Sequence, residues 1–175
     1  MTKQCPVIST ALTLAQQAYC VLPTLGSEPS PGVGWADGSR HLPEVQWLFS
    51  RRRYDGVGVA CGEQSGAWAV TIDGLKGRRS LRDLIEAHSP LPLSPVSVDV
   101  DGWSWWFSWE PGCDLPDGLE FLPGMIVRSD GSGVVVPPGR AHWRDISLLD
   151  AEPAQAPPWL LDAILCHNTP MAVGL

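Results

Sequence analysis

Leu122-Pro123-Gly124-Met125-Ile126-Val127-Arg128-Ser129-Asp130-Gly131-Ser132-Gly133-Val134-Val135-Val136-Pro137-Pro138-Gly139 is the stretch that decides the fold. It reads as two short apolar strands, Met125 to Arg128 and Val134 to Val136, paired as a hairpin across Asp130-Gly131. Asp-Gly suits a tight turn, because glycine tolerates a positive φ at no steric cost. Pro137-Pro138 ends the second strand, since proline has no N–H to donate to a ladder.

The same signals run upstream. Trp103 to Trp109 has a period of two, with Trp103, Trp105, Phe107 and Trp109 facing one way and Ser104, Trp106 and Ser108 the other. Val96 to Val100 is a strand before it. Val57 to Cys61 and Ala67 to Ile72 are two more, hairpin-like about the turn Gly62 to Gly66. Helical spacing marks four other places. Ser9 or Thr10 caps a first helix with Leu12, Ala15 and Tyr19 on one face. Pro43 opens a second, with Val45, Leu48 and Phe49 as its stripe and Trp47 beside it. Ser80 with Asp83 caps a third, whose core face is Leu81, Leu84, Ile85 and His88. Pro157-Pro158 introduces a last one, Trp159 to Leu165. Pro23 to Gly34 and Pro90 to Pro95 read as loops. Helices beside a mostly antiparallel, hairpin-linked sheet make an α+β domain.

The chain of 175 residues suits a single domain over 1–175, and 44% hydrophobic residues supply its core. The formal net charge of -7 works against a broad phosphate-binding face, so nucleic acid is disfavoured as a partner and a protein is expected. The denser basic places are Arg51-Arg52-Arg53, explained by the dipole at a helix end, and Lys76 with Arg78 and Arg79. Cys5, Cys20, Cys61, Cys113 and Cys166 are widely spaced and form no zinc-type cluster, which fits reduced thiols in the cytoplasm. No signal peptide, membrane span or membrane partner is expected.

Joining nucleotides requires carboxylates that hold divalent metals between primer end and triphosphate. Acidic residues two apart on a strand share a face, with Cα atoms roughly 6–7 Å apart. Three segments invite that chemistry. They are Val70-Thr71-Ile72-Asp73-Gly74, Val98-Asp99-Val100-Asp101-Gly102-Trp103-Ser104, and the opening stretch itself.

In their order and spacing these segments resemble the Prim-Pol family of the archaeo-eukaryotic primase superfamily, over roughly Leu12 to Leu165. The resemblance implies an RRM-related catalytic-core fold and a bifunctional DNA primase/polymerase, with Mg or Mn as cofactor if the chain is active. It also implies roles. Thr71 stands at the first acidic position and Asp73 at the second. Gly102 matches a loop glycine, Ser104 stands where the family has a histidine facing the triphosphate, and Ile126 holds the place of the third metal-binding Asp. Arg128 is the best phosphate candidate, and Trp106, beside Ser104, is expected to line or fill the nucleotide cleft.

Asp73 competes with its own plainer reading as a turn residue before Gly74, which the missing partner at Thr71 favours. Asp99 and Asp101 share a face and could form a replacement metal pair, although such pairs are more often solvated. The tryptophans suggest a single-strand stacking platform, but their alternation with small or polar residues favours packing. A degenerate active site is the leading expectation: a pseudoenzyme acting as a binding or regulatory module linked to DNA replication, with no cofactor. The alternatives are a divergent metal-dependent primase/polymerase or nucleotidyltransferase using Asp73 with Asp99 or Asp101, and a single-stranded nucleic-acid binder.

Overall fold

The structure, a computed structural model, describes residues 5–168. It is α+β, and its strands form two antiparallel sheets. A small sheet has the order β2-β1-β3-β9: β1 Val21–Leu25, β2 Glu28–Pro29, β3 Gly56–Ala60 and β9 Gly133–Val136. A large sheet has the order β10-β5-β6-β4-β8-β7. Its strands are β4 Ala67–Asp73, β5 Val96–Asp99, β6 Gly102–Ser108, β7 Glu120–Leu122, β8 Met125–Arg128 and β10 His142–Trp143. The helices are α1 Pro6–Gln16, α2 Leu42–Ser50, α3 Gly74–Ala87 and α4 Pro158–Asn168. Among the described residues, no helix is long and apolar enough to cross a membrane.

Strand periodicity divides the core. On β4, Ala67 and Ala69 join Trp106 of β6 in one apolar cluster with α1, α2 and the valines Val21, Val57, Val59 and Val136 of the small sheet. Trp68, Val70 and Ile72 point the other way, into a second cluster with Phe107, Val127, Leu81 of α3 and Leu160 and Ile164 of α4. The expected alternation along β6 is observed: Trp103, Trp105, Phe107 and Trp109 all belong to the α3–α4 side.

The opening stretch folds differently from the expected hairpin. β8 lies in the large sheet and β9 in the small one, so Asp130-Gly131 carries the chain between sheets. Its polar groups bind other segments instead of closing a turn. Asp117 accepts the Ser129 N–H at 2.9 Å and the Ser132 hydroxyl, and Asp130 Oδ1 accepts the Glu63 N–H at 3.0 Å. β8 finds its hairpin partner upstream in β7, across Pro123-Gly124. β3 and β4 likewise part company: apart from the bridge Gly62–Ala67 they belong to different sheets. Because Glu63 is bound to Asp130, the two crossings are tied to each other.

Three helix and loop expectations are corrected. α1 starts at Pro6 behind Cys5, which leaves Ser9 and Thr10 inside it and Tyr19 beyond its end; Ala11, Leu14 and Ala15 form its buried face. α3 starts at Gly74, six residues before Ser80. Its first turns, Gly74-Leu75-Lys76-Gly77-Arg78-Arg79, carry no apolar stripe and so gave no helical signal. The Ser80 hydroxyl donates to Pro123 O at 2.8 Å instead of capping. The Pro23 to Gly34 stretch contains the end of β1 and all of β2. Pro23 lacks a donor, yet its carbonyl accepts the Ser30 N–H at 2.9 Å.

Candidate functional site

Register assembles the site. β4 is central, with β6 on one side and β8 on the other, and Thr71 pairs with Ser104 and also with Ile126. Ser104, Thr71 and Ile126 therefore form one row across three adjacent strands. On β4, Thr71 follows Ala67 and Ala69 at the strand period, so the row lies on the sheet face that looks toward the small sheet. None of the three belongs to either apolar cluster. The Thr71 and Ser104 hydroxyl oxygens are 3.3 Å apart, and Arg128 Nε donates to Thr71 Oγ1 at 3.5 Å, the long limit for such a bond.

A cleft of about 110 Å³ opens over this row. Thr71, Ser104, Ser97 and Arg128 line it from the large sheet, and Gly133 to Val135 line it from β9. Asp99 and Asp101 stand at one side, where Arg140 bridges them: its Nε is 3.1 Å from Asp99 Oδ1 and its terminal nitrogen is 3.9 Å from Asp101 Oδ2. The expected replacement pair is thus brought together and to the cleft, but a guanidinium already balances it. Arg140 had no motif of its own; its one signal is its place directly after Pro137-Pro138-Gly139.

Asp73 is apart from the cleft lining. It is exposed, stands at the N-cap of α3 and makes no side-chain capping bond. In register it pairs with Gly102, which in turn pairs with Asp99, so Asp73 and Asp99 lie two strands apart. That separates their Cα atoms by about 10 Å. The two-metal chemistry that the family resemblance implies needs carboxylates that meet. Here the row offers two hydroxyls and an isoleucine. Among the described residues, no three His, Cys, Asp or Glu side chains converge on a point that could hold a metal ion. The residues present do not fit that pair of ions.

Trp106, expected as a wall of the cleft, is fully buried. Its indole N–H donates to Ser97 Oγ at 3.2 Å, so it supports a cleft residue from behind instead of facing the opening. Arg51, Arg52 and His88 take structural places. Arg51 is the C-cap of α2, and Arg52 donates to Pro31 O at 3.4 Å. His88 stacks on Trp159 with ring centroids 5.2 Å apart.

A family model described as "Prim-Pol: Bifunctional DNA primase/polymerase, N-terminal" matches residues 11–159. Neither the curated proteins nor the solved structures contain a match to this chain.

Proposed function

Because the chain belongs to the Prim-Pol family, we propose that it keeps a primase/polymerase frame but does not polymerise, and works as a binding or regulatory module with a protein partner in DNA replication. The observation that carries this reading is the row Ser104–Thr71–Ile126. A metal-dependent polymerase concentrates carboxylates where the primer end meets the triphosphate, and loss of a metal ligand removes several kcal/mol of transition-state stabilisation. The cleft's size supports the same reading. At about 110 Å³ it is well below the ~300–1,000 Å³ usual for organic ligands, so a nucleoside triphosphate would have to displace a wall. Arg128, Thr71 and Ser104 leave it suited to an anion no larger than a single phosphate.

Primer synthesis and extension with Mg or Mn on a single-stranded template test the proposal, using Asp73→Ala as control. The expected result is no extension by either protein. Extension that disappears in Asp73→Ala would sink it and favour the divergent polymerase. Salt-dependent retention of single-stranded DNA without extension would favour the single-strand binder.

A further inference from the structure

A second cavity lies on the same face of β6, beyond Trp106. Ser104 marks one end of that face and Ser108 the other, about 13 Å away. Ser108 helps line a half-open cavity of about 430 Å³, together with Gln17, Tyr19, Gly66, Asp150 and Glu152. It is the larger of the two spaces and takes no part in the site described above.

Its side chains are rich in oxygen acceptors: two carboxylates, hydroxyls and an amide carbonyl. Tyr19 is 6% exposed, and no described residue makes a hydrogen bond to its phenol. The Ser108 hydroxyl oxygen is buried and also lacks a partner. Buried polar groups in folded proteins are normally paired, so the orphaned Ser108 oxygen at this cavity needs an explanation. Gln17 donates one amide N–H to Leu149 O at 3.0 Å, and its carbonyl oxygen remains as an acceptor. Asp150 accepts the Ser147 hydroxyl at 2.5 Å, and among the described residues neither Asp150 nor Glu152 forms an ion pair. The backbone adds a further constraint. Ala18 has φ 72, a left-handed conformation that a non-glycine residue adopts only at a cost, and it is what turns Tyr19 back under the end of α1.

We propose that this cavity is a binding site for an organic cation rich in N–H donors, of the guanidinium class, held by Glu152 and Asp150 at the rim and by the Tyr19 and Ser108 hydroxyls inside. A guanidinium carries a positive charge and five donors, which suits two carboxylates without cationic partners beside further oxygen acceptors. The group could be carried by a free small molecule or by an arginine side chain of a partner, and the chemistry is the same.

Amide NMR of the full chain during titration with arginine amide tests the site. Saturable shifts are expected at Gly66, Ser108 and Ala151, with Thr71 and Ser104 unmoved. Glu152→Gln and Tyr19→Phe should each weaken binding at least five-fold; both are near-isosteric and retain the fold. Tetramethylammonium, a cation without N–H donors, should produce no saturable shift. Absence of saturation with arginine amide, equal binding by the two variants, or equal response to tetramethylammonium would overturn the proposal. An acetylated Gly-Arg-Gly amide distinguishes the sources: binding at least as tight as arginine amide supports a partner's side chain, and exclusion of the peptide supports a free small molecule.

Discussion

Thr71 and Ser104 face each other across β4 and β6, with their hydroxyl oxygens 3.3 Å apart, and Ile126 completes the row on the far side of Thr71. Adjacent strands bring facing Cα atoms to about 4.5–5.5 Å, so carboxylates placed at Thr71 and Ile126 would meet. The double substitution Thr71→Asp with Ile126→Asp should therefore bind Mn at least ten-fold more tightly than the natural chain. Isothermal titration calorimetry reads the difference. An unchanged affinity would mean that the row does not have the spacing of a metal site.

Trp106 is fully buried, and its indole N–H is bonded to Ser97. Trp106→Ala should cost about 3–5 kcal/mol of stability through the cavity it leaves. Trp106→Phe loses less volume but leaves Ser97 without its donor, and should cost about 1–3 kcal/mol. Urea unfolding measures both.

Gly77 is buried in α3, and a Cβ there would overlap the carbonyl oxygen of Gly124 in the β7–β8 turn. Helix propensity alone would make Gly77→Ala stabilising by about 1 kcal/mol. The overlap is with backbone, which cannot swing aside, so the clash dominates. A net loss of about 1–3 kcal/mol is expected in the same unfolding assay.

The cysteines differ in environment. Cys5 and Cys166 are exposed, whereas Cys20 and Cys61 are buried, and burial pushes both of those thiols up. Since the thiolate is the reactive form, iodoacetamide at pH 8 should label Cys5 and Cys166 first and leave Cys20 and Cys61 unmodified until the chain unfolds. Peptide mass spectrometry reports the order.

Burial, and after it the charge of Glu152, pushes the Tyr19 phenol up from 10.0 to about 12. The folded state thus holds this proton more tightly than the unfolded state. The stabilisation is complete below pH ~10 and is lost as pH rises from there toward 12. Stability of the natural chain should fall more steeply over that interval than stability of Tyr19→Phe. Equal slopes in urea titrations between pH 9 and 11 would show that the phenol is not protected.

Local pattern made much of this molecule legible in advance. The alternation along Trp103 to Trp109 gave both faces of β6, and the stripe Val45, Leu48, Phe49 gave α2. The family resemblance of three ordered segments pointed to Thr71, Ser104 and Ile126, which register then brought into one row. What local pattern could not carry was pairing at long range. Asp130-Gly131 has the composition of a hairpin turn, and only the distant partners Asp117 and Glu63 make it a crossing between sheets. Arg140 was invisible for the same reason: it reaches Asp99 across 41 positions of sequence. Tyr19 was read as a helix-face residue because nothing in the composition signals that Ala18 leaves the helix with a positive φ.

The row Ser104–Thr71–Ile126 stands outside both apolar clusters. In evolutionary terms, folding and chemistry are therefore answerable to different residues. Trp68, Trp106 and Phe107 pack in clusters to which no residue of the row belongs, so exchange of the row's side chains does not by itself demand compensating changes in those clusters. A frame of this kind leaves the lining of its cleft free to vary while the fold is inherited unchanged.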